Sequence, residues 1–451
     1  MDYRARIGVS NALWVPLIWL LIIASKPISQ WVYPEAVAAS AIDYEEGSPI
    51  DRLVFSLIIF SALLILSRRS TSVSEALRSS RWILIWLLFC GISMAWSDFP
   101  GISFKRWIKG IGSVLMVLIV LTEPNPFESV KALIRRCGYV LIPLSMLFIK
   151  YYRHLGVQYD PWEGQACFVG VTNNKNTLGR LCLVCGLFFF WFVVEMWRNR
   201  NISADRRELF VNVVFLIMTL WLLKISDSAT SLGTLIIGIV VFTVLGFPAM
   251  KRNIKYMGAL ILFSISILFI IQMSFDFDII GSYVAGLGRN MTLTGRTDLW
   301  NDVIQLQKSP LFGTGYGSFW LGDRLGILWG KYWWQPTEAH NGYLEIFLQL
   351  GLVGLFLLII VILRTYGNIL RALTSNFEYG RLRMVLFVVI LLYNVTEAGF
   401  ELSSMMFFVF LLSAAEVPDL PRAEVLEGGG KNGSPECDTR KRELISEDMG
   451  K

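Results

Sequence analysis

The chain has 451 residues, of which 54% are hydrophobic, 14% aromatic and only 17% charged, with a formal net charge of +6. A soluble protein of this length would form two or three domains whose helices carry an apolar stripe and a polar back. Blocks such as 209–225, 232–245 and 256–271 have no polar back, which excludes that class and points to an all-α polytopic membrane protein with the lipid bilayer as its first partner. The only two histidines, His154 and His340, exclude a histidine-rich metal cluster. Nothing in the chain supports a nucleotide site or a nucleic-acid partner.

Taken in chain order, Arg4 and Arg6 precede the apolar run 13–23 with no small-residue cleavage site after it, so that run reads as an uncleaved first helix. The apolar blocks predict twelve spans with cores near 10–25, 52–67, 82–97, 107–121, 134–150, 176–197, 209–225, 232–249, 256–274, 342–363, 384–399 and 402–415. Basic residues fall in alternate connections: Arg68, Arg69, Arg78 and Arg81, then Lys131, Arg135 and Arg136, then Arg198, Arg200, Arg206 and Arg207, then Lys251, Arg252 and Lys255, then Arg364, Arg371, Arg381 and Arg383. The positive-inside rule makes that side cytoplasmic, together with both termini. The first opposite connection is acidic, with Glu35, Asp43, Glu45, Glu46 and Asp51. The layout is therefore spans one to nine in 1–274, an outward loop over 275–341, spans ten to twelve in 342–415, and a polar, Gly-rich tail over 416–451 expected to be disordered and cytoplasmic. Cys182 and Cys185 form a CxxC inside span six and read as small buried hydrophobes.

A loop as long as 275–341 is usually functional. Thr297 is placed to cap a helix running to Lys308, before Ser309 and Pro310. The apolar residues Leu299, Trp300, Val303, Ile304 and Leu306 gather toward one side of it, suiting a helix on the membrane surface or over the bundle. The run Gly313–Gly317 lacks the GK[ST] ending of a phosphate loop and reads as a turn. The indoles Trp320, Trp329, Trp333 and Trp334 suit the headgroup level.

Ionisable residues at membrane depth mark function by default. Lys175 and Arg180 sit at the outer end of span six among Asn173, Asn174 and Asn176, donors suited to an anionic ligand. Asn394, Glu397 and Glu401 lie at the outer turn between spans eleven and twelve. His340, in Glu338–Glu345, ends the long loop at the surface, where an imidazole can exchange a proton near neutral pH.

Three segments, Gly295–Trp300, Pro310–Gly317, and Ala339–Glu345 with Leu350–Gly354, resemble the signature of the O-antigen ligase/polymerase superfamily (Wzy/WaaL-like), and within it the ExoQ-type exopolysaccharide polymerases. Asn173–Gly179, Ser226–Thr230 and Ala95–Pro100 also fit, so the resemblance covers about Trp96 to Gly354. It implies a helical membrane glycosyltransferase of GT-C kind, acting without a metal or other cofactor on glycans carried by a polyprenyl diphosphate. It further implies that Arg296 and His340 are catalytic, the arginine on the diphosphate and the histidine on the acceptor hydroxyl. Arg180, Lys175, Asn176, Arg289, Asn341, Glu345 and Glu397 make up the expected substrate-binding set. Glu338, Glu345 and Glu397 are all candidates to orient the imidazole. Ligases typically carry Ser-Arg where this chain has Ser228-Ala229, which favours a polymerase, with Lys175 and Arg180 supplying the missing charge. A ligase passing a finished glycan to lipid A–core, and a polysaccharide-related transporter, are the alternative readings. A chain-length regulator is the protein partner that a polymerase of this kind would have.

Overall fold

The structure is a computed structural model that describes residues 9–33, 47–159, 164–198, 205–252 and 292–415. The helices, in order, are α1 (Trp14–Ile23), α2 (Ile28–Val32), α3 (Pro49–Ser67), α4 (Ser70–Ser79), α5 (Arg81–Ile92), α6 (Pro100–Leu121), α7 (Pro126–Tyr151) and α8 (Arg153–Gly156). A two-strand antiparallel hairpin follows, β1 (Val157–Tyr159) with β2 (Ala166–Phe168). Then come α9 (Lys175–Arg198), α10 (Asp205–Ile225), α11 (Ala229–Leu245), α12 (Pro248–Arg252), α13 (Thr292–Gln305), α14 (Gly322–Lys331), α15 (Gly342–Ser375), α16 (Phe377–Thr396) and α17 (Met405–Ala414). Several starts are written in the sequence. Ser48 and Asn125 accept a backbone N–H of the first turn just before a proline at the first helical position, and Asn376 and Ser404 cap α16 and α17 in the same way.

Helices stand at every expected span that falls among the described residues. The expected span 256–274, Arg289, and the tail 416–451 lie outside them. By length and composition, α3, α7, α9, α10, α15 and α16 can cross a membrane, and α4 with α5, bent by 86°, would make a seventh crossing. The helices α1, α11 and α17 are apolar but shorter. The chain is thus a mostly helical, multi-pass membrane protein. α9 and α16 are its inner helices, packed on α10 and α11 and on α11 and α15 respectively. α3 instead shows Leu53, Leu57, Phe60, Leu63 and Leu64 to the outside, as a lipid-facing helix does.

Several basic residues of the connections have internal partners. Arg69 pairs with Glu123 at 2.8 Å, and Lys131 bonds Glu128 and Glu195. Arg381 and Arg383, buried in α16, donate to Phe242 O near the end of α11 and to Ser413 O near the end of α17, where helix carbonyls lack intrahelical donors and the dipole favours a cation.

The long loop has a core of its own. Leu299 and Val303 of α13 pack with Phe319, Trp320, Leu325 and Leu328. α13 begins at Thr292, so Thr297 lies within it and is not its cap. Trp320 is buried, and Trp300, Trp329 and Trp334 pack on the same cluster rather than reaching for headgroups. Their apolar area is better removed from water by one another. Trp333 is 63% exposed.

The Gly-rich run docks this loop into a broken helix. α15 is interrupted at Gly351, with φ +65° and ψ −164°. The break frees the carbonyls of Leu348 and Gln349 and the N–H groups of Leu352 and Val353. The loop supplies all four partners: Thr314 N and Gly315 N donate to Leu348 O (3.1 Å) and Gln349 O (2.9 Å), while Leu352 N and Val353 N donate to Pro310 O (2.9 Å) and Leu311 O (3.2 Å). Satisfying main-chain groups this way is what lets a helix break at membrane depth. Gly313, Gly315 and Gly317 all have positive φ, and a Cβ on Gly313 would fall 2.3 Å from Gln349 O. The run is therefore a turn, as expected, shaped for close backbone contact rather than phosphate. Gly351→Ala would place a Cβ 2.3 Å from Leu311 O. We expect it to destabilise the fold by at least the ~1–3 kcal/mol typical of strained backbone, seen as a lowered thermal midpoint in detergent; an unchanged midpoint would contradict this docking.

Candidate functional site

Glu397, the residue after α16, is where distant segments meet. Its Oε1 accepts hydrogen bonds from Asn176 Nδ2 of α9 at 3.1 Å and from Arg296 Nη2 of α13 at 3.4 Å. Its Oε2 lies 3.3 Å from His340 Nδ1. Arg296 also donates Nη1 to Thr396 O at 2.7 Å, so the end of α16 and α13 are joined by one guanidinium. Glu338 Oε1 stands 3.1 Å from the same imidazole nitrogen. The carboxylates that touch His340 are thus Glu338, partly open, and Glu397, almost fully buried.

His340 itself has φ +50°, a left-handed conformation costly for a side chain with Cβ and held only by its surroundings. Those surroundings are specific. Ala339 O accepts from Trp300 Nε1 at 2.7 Å, and Ala339 N–H donates to Glu345. On the other side, Asn341 Oδ1 caps α15 through Tyr343 N and Leu344 N, both at 3.0 Å, and Gly342 N donates to Glu397 O at 3.1 Å. Gly342 has no room for a side chain, because its Cβ would meet Asn394 Oδ1 at 1.9 Å.

Two members of the expected substrate-binding set therefore have structural partners. Glu345 is buried and accepts from Trp320 Nε1 (2.9 Å) and Gln349 Nε2 (3.1 Å) besides Ala339. It holds the peptide before His340 through Ala339 N–H and does not touch the imidazole. Asn341 uses its side-chain oxygen as a helix cap. Lys175 departs as well: it faces Asp227, 3.8 Å away and half exposed. On α9, Lys175 and Arg180 are five residues apart and point in different directions, whereas Asn176 and Arg180 share a face. Asn174 is the cap of α9, accepting from Thr177 N at 2.8 Å.

Arg180 lies near the start of α9. It is partly buried, donates Nη2 to Thr177 Oγ1 at 3.2 Å, and stands in the electrostatic field of Tyr393, Glu338, Glu397 and Glu401. The preceding Gly179 lies directly on Ser228 and Ser231, where a Cβ would come within 2.5 Å of Ser228 Cβ. α9 is thereby packed at Gly179 against the start of α11. The N-terminal ends of α9, α11 and α15 all border this region, and their dipoles favour an anion.

The site also sets the charge of His340. Burial works against the imidazolium, but hydrogen bonds and Coulomb attraction from Glu338 and Glu397 outweigh it and lift the pKa from 6.5 to about 9. At neutral pH the ring is protonated. A raised pKa contributes stability that is fully present below about pH 6.5 and is lost as pH rises through about 9. Glu338, His340 and Glu397 hold three ligand atoms within 4.8 Å of one another, a spacing open to a metal ion. Arg296 on Glu397 opposes a further cation there.

The motif at Ala95–Pro100 finds its role in positioning. Asp98 pairs with Arg324 of α14 at 2.6 Å, and Arg324 also donates to Phe319 O and Ser318 O. Arg106 Nη1 bonds Gly317 O. The loop that carries Arg296 and His340 is thereby clamped to the start of α6. Sequence spacing does not show this clamp, since 226 residues separate Asp98 from Arg324.

Residues 211–359, which include Arg296, His340 and the break in α15 at Gly351, match the O-Antigen ligase family model. The chain is 28% identical over 310 residues to the exopolysaccharide production protein ExoQ of Rhizobium meliloti (strain 1021), covering 65% of this chain and 66% of that protein. It is also 33% identical over 102 residues to an uncharacterized protein of Haemophilus influenzae, covering 22% of this chain and 26% of that one. The chain thus matches somewhat under two thirds of the length of one relative and about a quarter of the other. By these matches the chain is similar to proteins of the O-antigen ligase/polymerase superfamily.

Proposed function

We propose that the protein joins polyprenyl-diphosphate-linked repeat units into exopolysaccharide or O-antigen on the outer face of the bacterial inner membrane. In this reading it is a twelve-span, GT-C-like, metal-independent glycosyltransferase with both termini cytoplasmic. The observation that carries the reading is the meeting of Arg296, His340 and Asn176 on Glu397, with Arg180 beside them. Anionic leaving groups need fixed cations, and an acceptor hydroxyl needs a base.

The step is a displacement at the anomeric carbon. An acceptor hydroxyl loses its proton to the imidazole of His340, whose charge Glu338 and Glu397 offset. The hydroxyl oxygen bonds to the anomeric carbon of the donor glycan, and the bond from that carbon to the diphosphate oxygen breaks. The polyprenyl diphosphate leaves with the electron pair, and Arg180 and Arg296 stabilise the charge it gains; guanidinium grips phosphate oxygens in pairs.

A base with a pKa near 9 is mostly blocked at neutral pH. The rate is therefore expected to rise about tenfold per unit from pH 6 to 8 and to level near pH 9. Glu338→Gln removes one carboxylate and is expected to move the bend to lower pH. A flat profile from pH 6 to 9 would mean that His340 acts as a cation and not as the base.

The ligase reading shares the donor half of this mechanism. Ala229, standing at the start of α11 where ligases typically carry an arginine, favours the polymerase. The transporter reading loses support because the unusual charges gather at one end rather than at mid-membrane. A deletion strain separates the readings. Loss of long chains with single repeats still exported supports polymerisation. Long carrier-linked glycan accumulating outside would point to a ligase, and substrate accumulating on the inner leaflet to a transporter.

A further inference from the structure

Lys109 is a cation that neither the family signature nor the mechanism above uses. It lies nine residues into α6, about 14 Å along the axis at 1.5 Å per residue, at the head of the apolar run 110–121. An ionisable side chain at the head of an apolar run is a candidate functional group. Among the described residues it has no hydrogen bond and no ion pair; its contact is the Phe55 ring of α3, 4.5 Å from Nζ. The charges that face it are Glu401 from the turn between α16 and α17, Asp51 from α3, and Arg106 one turn earlier on its own helix. Asp51 is already engaged by Ser29 N and Oγ.

Its surroundings tie it to the same turn that carries Glu397. The neighbouring Gly110 lies against Leu402, where a Cβ would fall 2.5 Å from Leu402 Cβ. Glu401 stands in the fields of Lys109 and of Arg180 alike. Arg180, Asn176 and Arg296 thus approach the turn 397–404 from the α9 and α13 side, and Lys109 and Arg106 approach it from the α6 side. Arg106 holds Gly317 O of the docked loop, which fixes this second group of cations relative to the loop.

We infer that Lys109, with Arg106, forms a second anion site that holds the diphosphate of the acceptor's carrier, while Arg180 and Arg296 serve the diphosphate of the donor. This rests on the polymerase reading. Joining two carrier-linked glycans brings two diphosphates to one membrane face, and only the donor's is released; the acceptor's anomeric linkage stays intact. A ligase working on an acceptor without such a carrier needs one diphosphate site. Two clusters of cations on either side of one turn match the first requirement.

The test is binding stoichiometry of farnesyl diphosphate to the purified protein in nanodiscs, read by calorimetry, beside a polymerisation assay on the same preparation. Two molecules per wild-type chain are expected. Lys109→Met is expected to weaken one of them at least tenfold and leave the other, Lys109→Arg to keep both, and Arg296→Met to weaken the other one. One molecule per wild-type chain, or two of unchanged affinity in Lys109→Met, overturns the second site. If wild-type protein elongates glycan while either of those results is found, the polymerase reading stands and this inference alone fails. If it binds two molecules but elongates nothing, the polymerase reading fails, and the assignment of the second site to an acceptor carrier falls with it.

Discussion

His340→Ala is expected to lower turnover by ~100- to 10,000-fold, the range for a positioned acid–base group, while the protein reaches the membrane at normal levels. The fold should tolerate the change, because His340 gives its ring to the site and not to the core: its ring contacts are Glu338, Glu397 and the Trp334 ring at 6.1 Å. Removing the ring also removes one positive charge from between two carboxylates, so Glu338 and Glu397 are left to repel each other. Part of the loss will therefore be geometric. The double variant His340→Ala with Glu338→Gln separates the two effects. If proton transfer is the main role, relieving the repulsion restores little activity. Wild-type-like polymer from His340→Ala would remove the histidine from the mechanism altogether.

Arg296→Ala should cost about 100- to 1,000-fold in turnover, as for loss of one donor to a developing negative charge. Its second effect is on position. Nη1 holds Thr396 O and Nη2 holds Glu397, so the alanine variant loosens the end of α16 from α13. Arg296→Lys tests the relative weight of these roles. A lysine keeps the charge but cannot reach both the carbonyl and the carboxylate as a planar fork does. If the fork matters, Arg296→Lys recovers less than a tenth of the lost rate; if charge alone matters, it recovers most of it. Equal, wild-type-like turnover in both variants would contradict a role for Arg296.

The helices were legible because long apolar runs with charged ends leave the chain few options at a bilayer. The polar caps Ser48, Asn125, Asn376 and Ser404 fix helix starts that the apolar runs alone do not locate. His340, Arg296, Arg180, Asn176 and Glu397 were legible as residues, through their placement and the family signature. Their relation was not. Glu397 sits 57 positions from His340 and 221 from Asn176, and no local pattern announces that one carboxylate will collect His340, Asn176 and Arg296. Glu345 misled for the opposite reason. It is close to His340 in sequence and of the right chemistry, but one helical turn turns it inward to Trp320 and Ala339. Lys175 misled through proximity to Arg180, although five residues on a helix separate their directions. The aromatic residues of the loop suggested a membrane belt, yet Trp320 found a drier environment in the loop's own core. The break at Gly351 lay hidden in an apolar run with mean hydropathy high enough to pass as a continuous span. Lys109 is visible in the sequence as the lysine at the head of the run 110–121, but no family motif includes it.

The central claim is that this chain elongates a carrier-linked glycan by transfer to a second carrier-linked unit. Purified protein, reconstituted in liposomes with a polyprenyl-diphosphate-linked repeat unit as its only substrate, tests this directly. Products resolved by mass spectrometry should form a ladder spaced by one repeat, each still carrier-linked, with one free polyprenyl diphosphate released per bond formed. A substrate that stays monomeric under these conditions, but is transferred intact once lipid A–core is added, would contradict the claim and make the protein a ligase.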